Sequence, residues 1–310
     1  MSQANGWWKR WLAAVALVAA PALAWAQAAD PHRWQLNMGR GVTATSQNAY
    51  EAHMVALVVC IGIGLVVFGA MAYAMFKFRK SKGAVPARWS HNTKAEIVWT
   101  VIPVLILIGT AWPATKTLIW MADTSEAELT VKVTGYQWLW RYEYIGTDVN
   151  FISKLDRESD RTRMLGSGLD PAAVTVDGEN TYLLNVDNPL VLPTDTKIRF
   201  VITSDDVIHA WWVPVLGWKQ DAIPGVINEA WTDIKTPGTY RGQCAELCGK
   251  DHGFMPIVVK AVSKEEFKTW LASRKPAPAP AAEPAAAPAA PAAETPQPEA
   301  APAEQASTGA

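Results

Sequence analysis

A cluster of sulfur and imidazole side chains is the part of this 310-residue sequence best suited to chemistry. The spacing C-x3-C-x3-H-x2-M places Cys244, Cys248, His252 and Met255 in one turn-rich segment between two strand-like runs. His209 stands 35 residues before Cys244, at the end of another apolar run. Thiolate, imidazole and thioether ligands form a soft set, which favours copper over calcium, magnesium or manganese. The sequence therefore predicts a copper site.

The number of cysteines indicates how many metal ions the site takes. A mononuclear blue-copper site needs two histidines, one cysteine and a weak axial methionine, and this cluster offers one cysteine more. Two thiolates can bridge two copper ions, each completed by one histidine, with Met255 and a backbone carbonyl as weak axial ligands. Such a pair shares one electron between two metals and needs no open coordination position. It suits electron transfer and not substrate chemistry.

Two other uses of these residues stay open at the level of sequence. In an oxidising compartment Cys244 and Cys248 can form a disulfide, although so short a loop gains little from one and the bond leaves the histidines and Met255 unexplained. Zinc can take two cysteines and two histidines, although the nearby methionine suits copper better. The chain has no C-x-x-C-H motif, so covalently attached haem is not expected.

The amino terminus has the pattern of a secretory signal. Lys9 and Arg10 precede the apolar run Trp11–Leu23, and Ala24–Ala26 forms an A-x-A cleavage site. The run is too short to span a bilayer, which needs about 20 residues. We expect cleavage after residue 26 and a mature chain that starts at Gln27.

Two longer apolar stretches are expected to cross a membrane. Ala52–Phe76 and Ile97–Thr115 carry no formal charge, and both are long enough to span the hydrocarbon core. Lys77–Lys94 between them holds six Lys or Arg residues and no acid, so the positive-inside rule keeps it in the cytoplasm. The mature amino terminus and everything after Met121 then lie outside. The net charge of the chain is −1 because acidic segments elsewhere balance this basic one. Nucleic-acid binding is therefore not expected.

The chain after the second span has the pattern of an all-β domain, because short apolar runs separated by turn residues are typical of a sandwich or barrel. Strands are predicted at Leu129–Thr134, Trp138–Tyr144, Thr181–Val186, Lys197–Thr203, Ala230–Ile234, Thr239–Gly242 and Ile257–Val262. Ser153–Leu169 is charged and aperiodic, which predicts a surface loop, and Lys264–Arg274 is predicted to be a short closing helix. The tail after Lys275 is almost entirely Ala, Pro and Glu, which predicts disorder.

These features divide the chain into consecutive segments. They are a signal peptide (1–26), a periplasmic amino-terminal segment (27–50), transmembrane helix 1 (51–78), a cytoplasmic loop (79–94), transmembrane helix 2 (95–121), a periplasmic β-domain (122–275) and a disordered tail (276–310).

The motifs resemble those of subunit II of the haem–copper cytochrome c oxidases. The similarity runs in order through roughly residues 40–272 and rests on EIVWT (96–100), QWLW (137–140), VIHAW (207–211), DAIPG (221–225), QCAELCG (243–249) and HGFMP (252–256). Two positions depart from a common form of the family: Tyr136 stands where a histidine is frequent, and Leu139 where a tyrosine is frequent.

The resemblance implies a two-helix transmembrane hairpin followed by an all-β cupredoxin-like Greek-key barrel or sandwich that carries the binuclear copper centre CuA. The implied ligands are Cys244 and Cys248 as bridges, His209 and His252 as terminal ligands, and Met255 and the carbonyl of Glu246 as axial ligands. The Glu246 carboxylate is implied to bind a magnesium ion shared with subunit I. Trp138 is implied to receive electrons from cytochrome c, and Glu96 to mark the entrance of a proton path.

The resemblance also implies a function and a location. The chain would be the electron-accepting subunit of a proton-pumping cytochrome c oxidase, passing electrons to haem in subunit I, where oxygen is reduced to water. Its partners would be subunits I and III and cytochrome c, in a bacterial inner membrane with both the amino terminus and the β-domain in the periplasm. Residues 121–275 hold 17 basic and 22 acidic side chains, which suits a lysine-rich cytochrome c; the candidate contacts are Glu143, Asp148, Asp205 and Asp206.

Three other functions compete with this one. A quinol oxidase subunit shares the two-span plan but lacks the copper ligands. A membrane-tethered copper carrier needs exposed, exchangeable ligands, whereas this ligand set is split between His209 and a distant loop. Nitrous oxide reduction needs a second, histidine-rich copper cluster, and the chain has only five histidines.

Overall fold

The computed structural model describes residues 34–176 and 178–274. The predicted signal peptide and the predicted disordered tail lie outside the described residues. Two long helices come first: α1 covers Ala44–Lys77 and α2 covers Thr93–Ala122. Their apolar windows have mean hydropathies of 2.7 and 1.9, and both helices are long enough to cross a membrane.

Capping residues set where the two helices begin. Thr43 accepts a hydrogen bond from the backbone of Ser46, and the Ser46 hydroxyl accepts one in return, which forms a capping box. Helix α1 therefore begins at Ala44, ahead of the apolar run that predicted it. Asn92 caps α2 by accepting from the backbone of Ala95.

The domain that follows is rich in β-structure, with twelve strands and two short helices. The strands are β1 (Leu129–Tyr136), β2 (Leu139–Tyr144), β3 (Asn150–Ser153), β4 (Thr175–Val176), β5 (Glu179–Asn180), β6 (Leu190–Pro193), β7 (Ile198–Ser204), β8 (His209–Trp212), β9 (Lys219–Ala222), β10 (Asn228–Thr232), β11 (Gly238–Cys244) and β12 (Pro256–Val262). The helices are α3 (Arg157–Thr162) and α4 (Lys264–Arg274).

Ten strands form two five-stranded sheets. One sheet has the order β10-β7-β1-β2-β3 and the other β6-β12-β11-β8-β9, while β4 and β5 form a separate small hairpin. Strand β1 runs parallel to β7, and β12 parallel to β6; the other pairs within the large sheets are antiparallel. The order of a two-helix hairpin followed by a cupredoxin-like β-domain is confirmed.

The two sheets share one hydrophobic core. Along β7 every second residue is buried, the pattern of a strand with one face in a core. Trp140 and Phe200 from the first sheet and Trp211 from the second are completely buried. Full burial of each such side chain stabilises the fold by about 1.5–3 kcal/mol.

Some sequence predictions for this domain were wrong. Thr181–Val186 is not a strand: it contains turns, and only Val186 forms an isolated bridge, with Leu155. The stretch predicted as the loop Ser153–Leu169 contains α3, because the Asp156 side chain accepts from two backbone N–H groups and caps a helical turn. The closing helix is confirmed at Lys264–Arg274.

The start of α1 is bound to the β-domain through a segment that we call the amino-terminal seam, residues 41–46. The hydroxyls of Thr43 and Thr45 both donate to the carbonyl of Leu216, at 2.9 and 2.7 Å. The backbone N–H of Ala44 donates to Asp233 Oδ1 at 2.9 Å. Since only six residues separate the end of α2 from β1, the β-domain holds both the start of α1 and the end of α2.

The seam depends on a close approach at Gly217. This residue has φ +86°, and a Cβ atom there would lie 2.2 Å from Cα of Ser46. Only glycine fits both the left-handed backbone and the narrow gap. At the other helix, Trp120 near the end of α2 packs edge-to-face on Trp231 of β10, with ring centroids 4.9 Å apart.

Candidate metal centre

The pairing of β8 with β11 brings His209 close to the loop from Cys244 to Met255, which we call the cysteine loop. Cys244, the last residue of β11, lies opposite Trp211 in the antiparallel register, and the bonding continues from Ala245 N to Ala210 O at 3.0 Å. His209 begins β8, so it reaches the same end of the sheet as the loop that starts at Cys244.

The predicted donor atoms converge around the two thiols. The Sγ atoms of Cys244 and Cys248 are 3.8 Å apart and both thiols are free, so the alternative of a disulfide does not describe this structure. His209 Nδ1 lies 3.9 Å from Cys244 Sγ, and His252 Nδ1 lies 3.5 Å from Cys248 Sγ. Each thiol therefore has an imidazole of its own.

Two weaker donors complete the arrangement, one at each thiol. Met255 Sδ is 3.5 Å from Cys248 Sγ, and the carbonyl oxygen of Glu246 is 3.3 Å from Cys244 Sγ. Two ligands of one metal ion, each about 2.0–2.3 Å from the metal, lie about this far from each other. Two thiols, two imidazoles, a thioether and a carbonyl fit a copper pair, and they include two donors that a Cys2His2 zinc site does not use.

Most of the donors are enclosed by the protein. His209 is completely buried, and Cys244, Cys248 and Met255 are at most 4% exposed. His252 is half-buried. The site is therefore shielded from water on the sandwich side and closer to solvent at His252 and Glu246.

The two thiols differ in acidity when no metal is bound. Burial alone would raise the pKa of Cys244, but hydrogen bonds, chiefly with His209, lower it to about 7. Burial, and then the charge of the Cys244 thiolate, raise the pKa of Cys248 to about 12. At neutral pH one thiol is poised to bind metal as a thiolate, and the other must lose its proton as the metal binds.

A carboxylate behind His209 orients its ring. His209 Nε2 lies 2.9 Å from Asp206 Oδ1, an arrangement typical of metal-ligating histidines. Although burial would raise the pKa of Asp206, hydrogen bonds from His209 and from the backbone N–H groups of Val207 and Gln137 lower it. Asp206 is thus part of the site rather than a free surface acid.

Gly135 makes room for the same ring. A Cβ atom on this buried residue of β1 would lie 2.8 Å from His209 Cδ2. The sequence analysis missed both Asp206, which it treated only as a surface acid, and Gly135. A glycine within a strand is a signal of close approach, but nothing in the sequence says what approaches it.

Trp138 contacts the cysteine loop directly. Its indole N–H donates to the carbonyl of Cys248 at 3.2 Å, and the Gln137 side chain donates to the same oxygen at 2.8 Å. The Trp138 ring is half-buried, and Lys250 Nζ lies 5.3 Å from its centroid. The Trp138 side chain thus extends from the solvent-exposed surface to the carbonyl of Cys248.

The remaining predicted site residues lie elsewhere. The Glu246 side chain is exposed, although its carbonyl faces Cys244. Glu96 lies in the first turn of α2, 2.7 Å from His91 Nδ1. Because α2 has 30 residues and a helix rises about 1.5 Å per residue, the length of this helix separates Glu96 from the β-domain.

Only some of the predicted acids are free to meet a partner. Glu143 forms ion pairs with Lys132 and Arg141. Asp205 accepts a short hydrogen bond from the Tyr136 hydroxyl. Asp148 is exposed.

Comparison with known proteins gives matches over both parts of the chain. Residues 129–262 match the family model described as the periplasmic domain of cytochrome c oxidase subunit II, and residues 31–117 match that of its transmembrane domain. A probable cytochrome c oxidase subunit 2 of Rickettsia bellii is 41% identical over 247 residues, which cover 80% of this chain and 87% of the relative. The subunit 2 of Cereibacter sphaeroides is 37% identical over 218 residues, covering 69% and 72%.

A solved structure matches the β-domain. It is the periplasmic domain of subunit II of cytochrome oxidase from Bradyrhizobium japonicum, with 38% identity and a TM-score of 0.41. The match covers 49% of this chain and 96% of that one.

Proposed function

Because the chain belongs to the cytochrome c oxidase subunit II family, and is therefore a membrane-bound subunit of that enzyme complex, we propose that it is the subunit through which electrons enter the oxidase. It accepts electrons from cytochrome c at a binuclear copper centre and passes them to haem in subunit I. The observation that supports this most directly is that the two buried thiols lie 3.8 Å apart, each beside an imidazole of its own.

The ligands in this proposal are the donors described above. Cys244 and Cys248 hold both ions, His209 and His252 hold one each, and Met255 and the Glu246 carbonyl are weak ligands. When bound, a copper pair that shares its valence accepts and releases one electron with little change in bond lengths. The protein residues keep the pair dry, fix the rings and supply the thiolates.

Trp138 is the proposed point at which the electron crosses from cytochrome c. Its half-buried ring can touch a partner, while its N–H contacts the carbonyl of Cys248, a copper ligand. A single hydrogen bond thus connects Trp138, at the protein surface, to the copper ligand Cys248, and no other residue is needed between Trp138 and Cys248.

The membrane arrangement is also part of the proposal. The β-domain lies in the periplasm of a bacterial inner membrane, and the basic segment between α1 and α2 lies in the cytoplasm. The exposed apolar faces of α1 and α2 pack on subunit I, and subunit III completes the complex. Glu96, paired with His91, lies at the cytoplasmic end of α2 and marks the entrance of a proton path into subunit I.

Glu246 is proposed to have a second role beside its carbonyl. Its exposed carboxylate offers one of the oxygen ligands that magnesium prefers. The other ligands would come from subunit I.

The alternatives fit the site less well. A quinol oxidase subunit has no need of six converging donors. A copper carrier must release its metal, but His209 is completely buried and Met255 is 1% exposed, which favours a fixed site.

Electron paramagnetic resonance of the copper-loaded full chain in detergent tests the proposal. We expect the hyperfine pattern of one electron shared by two copper nuclei. Cys248→Ser should convert it to a single-copper signal or abolish it, while Cys60→Ser in α1 should leave it unchanged. A single-copper signal from the wild-type chain would overturn the proposal.

A further inference from the structure

A cavity of about 540 Å³ opens directly beside Trp138. One wall is the ring of Trp138, a second is the cysteine loop at Asp251 and Phe254, and a third is the chain from Lys154 to Arg163 that contains α3. The cavity therefore adjoins the proposed point of electron transfer.

Arg163 fixes the third wall to the cysteine loop. Its guanidinium lies 4.4 Å from the centroid of the Phe254 ring, donates to Asp160 Oδ1 at 2.8 Å and lies 3.4 Å from Asp251 Oδ1. Cation–π contact and two ion pairs give this wall a defined position relative to the copper ligand His252, the next residue after Asp251.

The lining acids are engaged, whereas two lining cations are not. Asp160 and Asp251 are paired with Arg163, and Asp251 also with Lys250; Asp187 Oδ1 accepts from the backbone N–H of Lys154 at 2.9 Å, which leaves the negative charge of Asp187 in place. Arg157 and the Lys154 ammonium are exposed and form no ion pair with any residue in the described ranges 34–176 and 178–274. With Lys250 included, four cations and three carboxylates lie at or beside the cavity, which leaves an excess of one positive charge.

An acidic surface borders Trp138 as well. Asp205 and Asp206 contact Tyr136 and the backbone of Gln137, the two residues that precede it. A partner that covers Trp138 therefore meets carboxylates beside residues 136–137 and cations in the cavity.

We propose that the cavity receives a carboxylate side chain of the donor cytochrome, with Lys154 and Arg157 as its binding residues. This inference rests on the proposed function, since it takes Trp138 as the point of electron transfer. The donor is then a c-type cytochrome whose surface around the haem edge is mixed, with lysines that face Asp205 and one acidic residue that enters the cavity. Such a pattern fixes the orientation of the complex as well as accelerating its formation.

The test uses the whole oxidase complex and a lysine-rich cytochrome c as probe, together with a set of variants of that cytochrome, each with one haem-edge lysine replaced by glutamate. The second-order rate of copper reduction is measured by stopped flow at low ionic strength for wild type, Lys154→Glu, Arg157→Glu and Arg161→Glu. Arg161 lies on the same helix and gives the same charge change but does not line the cavity.

We expect one glutamate position on the cytochrome to be coupled to Lys154 and Arg157. For that cytochrome, each of the two charge reversals should slow the reaction by about fivefold relative to the unmodified probe, and Arg161→Glu by less than about twofold. Equal effects of all three reversals at every glutamate position would overturn the proposal. Failure of the electron-transfer role itself is distinguishable, because the wild-type complex would then not be reduced by any of the cytochromes while a small chemical reductant still reduced it.

Discussion

The imidazole of His209 lies between a carboxylate and a thiol: Nε2 lies 2.9 Å from Asp206 Oδ1, and Nδ1 lies 3.9 Å from Cys244 Sγ. With the carboxylate accepting from Nε2–H, it is Nδ1, the nitrogen beside the thiols, that gives up its proton when a metal binds. Asp206 therefore selects the tautomer that can bind metal.

Asp206→Asn is predicted to weaken copper binding. The amide keeps the shape but removes the negative charge behind the ring, and loss of such a partner typically costs about tenfold or more in affinity. Competition with a copper chelator measures the change. Asp205→Asn, which alters the adjacent contact to Tyr136, is the control and should bind copper like the wild type; equal affinities for both variants would contradict the assignment.

Copper binding is predicted to release protons, with a number that depends on pH. Above pH 7 Cys244 is ionised and Cys248, with its pKa raised to about 12, must still lose one proton. Below pH 7 Cys244 adds a second, and His209 adds a further proton wherever its imidazole is charged, because burial lowers its pKa less than its hydrogen bonds with Cys244 and Asp206 raise it. Affinity should therefore rise with pH, by about tenfold per unit above 7 and more steeply below it. Calorimetry in buffers of different ionisation enthalpy counts the protons, and a pH-independent affinity would refute the two-thiolate site.

Gly135→Ala is predicted to damage the site from the opposite sheet. The new methyl group would lie 2.8 Å from His209 Cδ2, and overpacking of this kind costs about 1–3 kcal/mol. Thermal unfolding should show the loss of stability, and the copper titration should show weaker binding. Gly253→Ala lies within the cysteine loop but has no atom within 4 Å of its new Cβ, so it should change neither.

Trp138→Phe is predicted to slow reduction by cytochrome c without changing the copper signal. Phenylalanine keeps an aromatic ring but loses the N–H that donates to Cys248 O. We expect a lower rate, because the ring then lacks the hydrogen bond that links it to the carbonyl of Cys248. Trp89→Phe, in the exposed segment between α1 and α2, is the control. A normal rate in Trp138→Phe would remove this residue from the path.

Gly217→Ala is predicted to open the amino-terminal seam. The substitution adds a left-handed backbone penalty of about 1–2 kcal/mol to a clash with Ser46. Protease should then cut the chain just before α1 more readily, while the copper signal stays normal. Gly146→Ala has a similar φ of +82° but no atom within 4 Å, so it isolates the backbone penalty and should leave the seam closed.

The sequence was informative where chemistry and spacing act together. The ligand residues could be predicted because soft donors at short intervals are rare. His209, 35 residues before Cys244, could be included because strand ends that are distant in sequence can meet at one end of a sandwich, and the register of β8 against β11 brings it there. The amphipathic runs at β1, β2, β7 and β12 predicted those strands well.

Other features depend on partners that the local sequence does not name. The run at Thr181–Val186 is apolar enough for a strand, yet it finds only one bridge, between Val186 and Leu155. In the sequence Asp206 cannot be distinguished from an ordinary surface acid. It contacts His209 because the short turn between Asp206 and the start of β8 brings the two side chains together. In the sequence Arg163 is one of several charged residues in the same stretch, and only the fold places its guanidinium over the ring of Phe254.

The amino-terminal seam also bears on how the molecule is made. The bond from Thr43 to Leu216 joins residues 173 positions apart, so it cannot form until synthesis of the chain has passed the middle of the β-domain. Until then α1 is held only by lipid and by α2. Closure of the seam is therefore a late event, and only a chain whose β-domain has folded acquires a fixed first helix.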